Sequence, residues 1–176
     1  MFTAADGNRE GYRGGRLLIH VRGRDNRNDG AAGGAAESAP DTFFVRQARL
    51  ESGGTFYKVF EYKVQGDFPT GGATGTLQDG YLGRKGSPEL GIRVGQMKEP
   101  FSQEETTSTR FIDFVERSII NRFAPGRDTG IALLGAFEGG IAEYEFGAYN
   151  GSGRTAVDAN DEKDVAGRIR FTPWKA

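Results

Sequence analysis

Apolar and polar side chains alternate with a period of two, and the pattern recurs along almost the whole chain. Within residues 60–68, Phe60, Tyr62, Val64 and Phe68 share one face, while Glu61, Lys63, Gln65 and Asp67 share the other. A period of two belongs to an extended strand; a helix would need 3.6. The same alternation sets Leu17, Ile19 and Val21 against His20, Arg22 and Arg24 in residues 16–25. It sets Ala48 and Leu50 against Gln47, Arg49 and Glu51, and Leu90, Ile92 and Val94 against Gly91 and Arg93. In residues 142–148, Tyr144 and Phe146 oppose Glu143 and Glu145, and in residues 165–171, Val165, Ile169 and Phe171 oppose Arg168 and Arg170. Two less regular stretches, 77–85 and 129–137, complete a set of about eight strands of the length that crosses a bilayer when tilted.

The connections alternate as well. Short ones are predicted at residues 52–55, 86–89 and 138–140, and long ones at 26–41, 69–75, 99–128 and 151–164. Tight turns on one side and long loops on the other describe an up-and-down outer-membrane barrel. All six prolines fall in connections or at a strand end, as a residue that cannot donate to a ladder must. A soluble antiparallel barrel that binds a small ligand has the same periodicity with its faces exchanged. The one-sided long loops, and the Arg and Glu residues of both signs on the polar face, favour the membrane form.

Composition narrows the function classes. With no cysteine, the chain has no disulfide framework and no thiolate site. A net charge of -1 gives no reason to expect nucleic-acid binding. No apolar run reaches the roughly 18 residues of a transmembrane helix. The opening MFTAADGNRE lacks the basic start and apolar stretch of a signal peptide, so a mature or truncated start is expected, with residues 1–14 a flexible lead-in. His20 is the single histidine, and no metal site, cofactor or catalytic constellation is expected around it. The NDEKD run at 160–164 lacks calcium-loop spacing, and GSGR at 151–154 reads as an external turn because no helix follows it.

The longest connection, 99–128, has a composition of its own. Phe111, Phe114, Val115, Ser118 and Ile119 lie at helical spacing behind a candidate cap at Ser108 or Thr109, which predicts a short amphipathic helix packed on the barrel wall. The run GQMKEPFSQEETTSTRFIDFVERSIINRFAPGRDTG, the preceding LQDGYLGRK, and the later YNGSGR and NDEKDVAGRIRFTP resemble the phosphate-selective porin O and P family. The likeness covers nearly everything after Tyr12, in the family's order. It implies a trimeric outer-membrane barrel of about sixteen strands, whose third loop folds inward and whose basic side chains draw anions through. On that resemblance the 176 residues form a single partial barrel domain, the N-terminal half of a pore in the bacterial outer membrane. Phosphate or other small anions and the lipid bilayer would be its partners. A structural or adhesive barrel plugged by its own third loop is the competing membrane reading.

Arginine and lysine side chains are the residues that could carry this chemistry, because fixed N–H donors replace the water that an anion sheds in a narrow pore. Candidates at the constriction are Lys98, Arg110, Arg117, Arg122 and Arg127, of which Arg110, Arg117 and Arg127 match the family's motif best. Candidates on the lumen wall are Arg22, Arg24, Arg49, Lys63, Arg93, Arg168 and Arg170. Against this stands simple pairing: Glu51, Glu61, Asp67, Asp79, Glu143 and Glu145 share that face and could neutralise the cations across strands.

Overall fold

A computed structural model describes residues 2–3, 8–22, 42–68, 74–108, 111–114, 116–137, 139–158 and 160–173. They form one antiparallel meander in which every strand pairs with its neighbours in sequence. A two-residue strand β1 (Phe2–Thr3) leads into β2 (Arg9–Arg22), β3 (Thr42–Phe56), β4 (Phe60–Asp67) and β5 (Thr76–Ser87). β6 (Leu90–Lys98), β7 (Arg127–Phe137), β8 (Ala142–Tyr149) and β9 (Asp164–Phe171) complete the sheet. Each of the eight alternating stretches is a strand. β2 starts at Arg9, so residues 9–14 belong to the sheet and not to a flexible lead-in.

The register preserves the two faces across strand boundaries. Arg49 sits opposite Asp67, Lys63 opposite Tyr81, and Arg168 opposite Glu145, all on the polar face. Leu17 faces Ala48, Val94 faces Ile131, and Leu133 faces Phe146 on the apolar face. Burial is inverted relative to a soluble protein. Among the described residues the buried set holds three apolar side chains (Met97, Ala132 and Tyr149) and nine polar or charged ones. Leu17, Phe43, Leu50, Leu82, Val94 and Ile169 are each more than half exposed. A contiguous apolar face with a polar interior is stable only when the solvent outside is apolar too. Burial therefore separates the two barrels that periodicity could not.

One turn moved. Gly53 and Gly54 suggested a connection at 52–55, but both lie inside β3, and the chain reverses at residues 57–59. Tyr57 and Lys58 take φ values of 50° and 59°, a left-handed conformation that glycine would adopt more cheaply. Phe56 and Phe60, opposite each other, stack at 5.1 Å and clamp the hairpin. The two glycines are needed where they are for close approach. A Cβ on Gly53 would meet the Tyr12 ring at 2.8–2.9 Å, and one on Gly54 would meet the Glu10 carbonyl at 2.2 Å.

Candidate anion site under the third loop

The third loop, residues 99–126, joins β6 to β7 and is closed at its base by the Glu99 N–H donating to the Gly126 carbonyl at 3.1 Å. The expected helix over 111–119 is absent from the described residues. Instead a four-residue helix α1 (Gln103–Thr106) and a 3-10 turn (Ile119–Phe123) flank an irregular stretch. Phe111 and Phe114 are 77% and 81% exposed, so these members of the apolar side that would have stabilised a helix are packed only slightly. A segment that short has too few backbone bonds to be helical without such packing.

α1 organises the loop. Glu104 accepts from both the N–H and the hydroxyl of Ser118 at 2.5 Å, which holds its carboxyl below the ordinary carboxylate range. Glu105, only 8% exposed, accepts from Arg117 Nη1 at 2.5 Å and Asn121 Nδ2 at 2.9 Å, with Arg127 Nη1 at 3.9 Å. The carbonyls at the helix C-terminus lack intrahelical partners and draw cations. Lys98 Nζ reaches those of Glu105, Thr106 (3.4 Å) and Thr107 (3.5 Å), and Arg117 reaches Thr107 at 2.8 Å. Arg46 of β3 ties Glu116 to the wall. Sequence reasoning missed Glu105 and Arg46, because neither alternation nor a basic motif marks the carboxylate that gathers a loop or the arginine that moors it.

Below the loop lies a cavity of about 270 Å³ lined by Arg16, Arg49, Lys63, Lys98 and Arg127, with Glu51 and Asp79 among its walls. Asp79 accepts from Lys63 Nζ at 2.6 Å and from Arg127 Nε at 2.7 Å. One carboxylate thus serves two cations. Glu61 does the same farther along the wall, for Arg93 at 2.5 Å and Lys85 at 3.1 Å, and the Arg93 guanidinium lies over the Tyr81 ring at 5.0 Å. Elsewhere pairing is one to one across strands: Arg49 with Asp67 at 2.9 Å, Arg168 with Glu145 at 3.6 Å, and Arg170 with Glu143 at 2.5 Å. Every described wall cation of the sequence prediction meets a carboxylate.

The predicted loop cations separate. Lys98 and Arg127 face each other in register at the strand ends and line the cavity. Arg117 lines a wider cavity beyond the loop, of about 860 Å³, and Arg122 is exposed with no ion partner among the described residues. Arg24 and Arg110 lie outside the described residues, as does the Arg22 side chain. Arg154 lies in the turn expected for it, and from there it lines the wider cavity with Arg117. No group of three or more metal-ligating side chains is placed to hold a cation among the described residues.

A family model for phosphate-selective porin O and P matches residues 20–176. Porin O of Pseudomonas aeruginosa is 28% identical over 127 residues, which make up 69% of this chain. The chain spans 28% of the length of that relative.

Proposed function

The chain belongs to the phosphate-selective porin O and P family of the bacterial outer membrane, and from that premise we propose that it lines a pore in which small anions, phosphate among them, pass between the third loop and the polar face. Family membership points to a channel and not an enzyme. The anion preference rests on one observation: Lys63 and Arg127 share Asp79, while Lys98 beside them is held only by neutral carbonyls. Lys63, Lys98, Arg117 and Arg127 together face two carboxylates, Asp79 and Glu105, and the excess is positive. Fixed positive charge on the wall of a narrow, poorly solvated passage concentrates anions and repels cations. The wall pairs Arg49–Asp67, Arg168–Glu145 and Arg170–Glu143 cancel, and serve to hold strand register. In this reading residues 1–176 act as one part of the barrel, and the assembly is a homotrimer.

The test is the reversal potential of the assembled pore in a planar bilayer under a salt gradient. The unaltered pore should prefer anions. Lys98→Gln and Lys63→Gln should each shift the reversal potential toward zero, while Arg170→Gln paired with Glu143→Gln should leave it in place. Channels that stay equally anion-selective in both lysine variants would remove the shared-carboxylate argument. A pore-sized barrel that never conducts would favour the plugged structural role.

A further inference from the structure

The apolar face is not apolar throughout. Three basic residues crowd its short-turn end, on and beside the β3–β4 hairpin. The register sets Arg9 opposite Phe56, Phe56 opposite Phe60, and Phe60 opposite Arg84, so two arginines bracket the stacked phenylalanines along one row of the sheet. Lys58 sits in the turn between them. The turn is held from both sides: Tyr57 N–H donates to the Asn8 carbonyl beside Arg9, and Lys85 N–H donates to the Val59 carbonyl beside Arg84, each at 2.7 Å. Three strand spacings, about 14 Å, separate the two arginine backbones, a gap that long side chains close from either end. All three cations are exposed, and among the described residues none of them meets a carboxylate. The polar face behaves otherwise: Lys85, the neighbour of Arg84, turns to that face and pairs with Glu61 at 3.1 Å.

Position and backbone both set this cluster apart. A lone cation on the lipid face is costly at mid-bilayer and costs little at the boundary, where aromatic rings gather. Rings mark that level here: Phe56 and Phe60 on this hairpin, and Phe137 and Tyr144, stacked at 5.7 Å, on the β7–β8 hairpin. The turn itself is strained. Tyr57 and Lys58 both keep a left-handed backbone, so the tip carries two side chains where the fold alone favours glycine. We propose that Arg9, Lys58 and Arg84 bind the phosphodiester headgroup of an anionic phospholipid in the leaflet on the short-turn side, with its acyl chains lying along the Phe56–Phe60 stack. A phosphodiester supplies the negative charge that these cations lack, and acceptor oxygens for the guanidinium donors. The site lies on the outer surface of the barrel, so it goes beyond the conducting role and stands whichever ion passes through.

The test embeds the assembled pore in vesicles of equal parts phosphatidylglycerol and phosphatidylcholine, extracts it in mild detergent, and measures by mass spectrometry the ratio of the two lipids that stay with it. The unaltered pore should keep phosphatidylglycerol in preference. Arg9→Gln, Lys58→Gln and Arg84→Gln should each lower the ratio about fivefold, the worth of one basic residue beside an anionic lipid surface. Arg84→Lys should lower it less, and Lys85→Gln, one residue away on the polar face, should leave it in place. Lys58→Gly separates binding from folding: it relieves the left-handed turn, so the thermal midpoint of the pore should hold or rise while the lipid ratio falls. No preference in the unaltered pore, a ratio unchanged by the three Gln variants, or one lowered as much by Lys85→Gln overturns the inference. So does dissociation of the Gln variants into single subunits with the ratio kept, which would give this face to a second copy of the chain.

Discussion

The Arg117 guanidinium donates to the Glu105 carboxylate at 2.5 Å across the base of the third loop, with both side chains mostly buried. That bond makes Arg117 a brace. It spends its charge on a carboxylate of its own loop, and its second amine on the Thr107 carbonyl. The family motif matched Arg110, Arg117 and Arg127 alike; the contacts set Arg117 apart as a brace and leave Lys98 and Arg127 on the cavity wall.

The brace predicts a specific pattern of loss. Arg117→Gln and Glu105→Gln should each loosen the loop by about 1–3 kcal/mol, the cost of stranding one partner of a charged hydrogen bond. The double variant should cost less than the sum, because the second change removes a group that the first had already stranded. Protease nicking of the loop in the folded pore, compared across the three variants, measures this. Strict additivity would mean that the two residues act independently.

Face assignment predicts chemical accessibility. Single cysteines replacing Leu17, Phe60, Phe146 or Ile169 should resist a water-soluble thiol reagent in the bilayer-embedded pore. Cysteines replacing Glu51, Lys63 or Arg168 should react, because a one-residue step along a strand moves a side chain to the other face. Equal labelling at Phe60 and Lys63 would contradict the burial inversion on which the membrane reading rests.

Glu99, at the start of the third loop, predicts a pH dependence. Burial, and then the neighbouring carboxylates of Asp164 and Asp128, push its carboxyl up to about 7. A carboxyl raised above its unfolded value of 4.5 favours the folded state fully at low pH. It loses that contribution as pH rises through about 7 and the buried group must ionise. The closure between Glu99 and Gly126 should therefore loosen between about pH 4.5 and 7. Glu99→Gln should flatten that dependence and stabilise the loop base at pH 8. The measurement is the thermal midpoint of the unaltered protein minus that of Glu99→Gln at each pH. A difference that stays constant across the range would show that Glu99 does not titrate there.

Much of the fold was legible because alternation is a local property: each strand declares its faces through its own residues, and neighbours such as Arg168 and Glu145 need only the register to meet. What escaped depended on irregularity. Register shifts at Leu18/Ile19 and Gln65/Gly66 add residues that no period of two anticipates. Gln78 and Gln96 carry no charge and sit on no motif, yet they decide where Arg154 goes. The short helix at 103–106 lies below the length at which periodicity is visible, while the expected one at 111–119 had the spacing but, with Phe111 and Phe114 mostly exposed, little packing to hold it. Partnering of the basic residues was the least legible feature, because it depends on which carboxylate each cation reaches first.

Tyr149 supplies the last prediction. It is fully buried on the polar face, packed with Met97 and Ala132 in the small apolar cluster of the sheet, and its ring lies across two glycines. A Cβ on Gly130 would come within 2.6 Å of the Tyr149 ring and 2.3 Å of the Ala148 carbonyl; one on Gly147 would meet the Tyr149 hydroxyl at 2.5 Å. The ring at Gly147 could swing aside, since the clash there is with the far end of a side chain. At Gly130 the obstacle is backbone of the paired strand, so the β7–β8 ladder itself must shift. Gly130→Ala should therefore destabilise the barrel by about 1–3 kcal/mol, the usual cost of overpacking, and Gly147→Ala by less. Combining each with Tyr149→Ala should rescue Gly147→Ala and leave Gly130→Ala impaired. Urea midpoints of the reconstituted pore give the comparison. Equal rescue of both would mean that the ring, and not the neighbouring strand, sets the limit at Gly130.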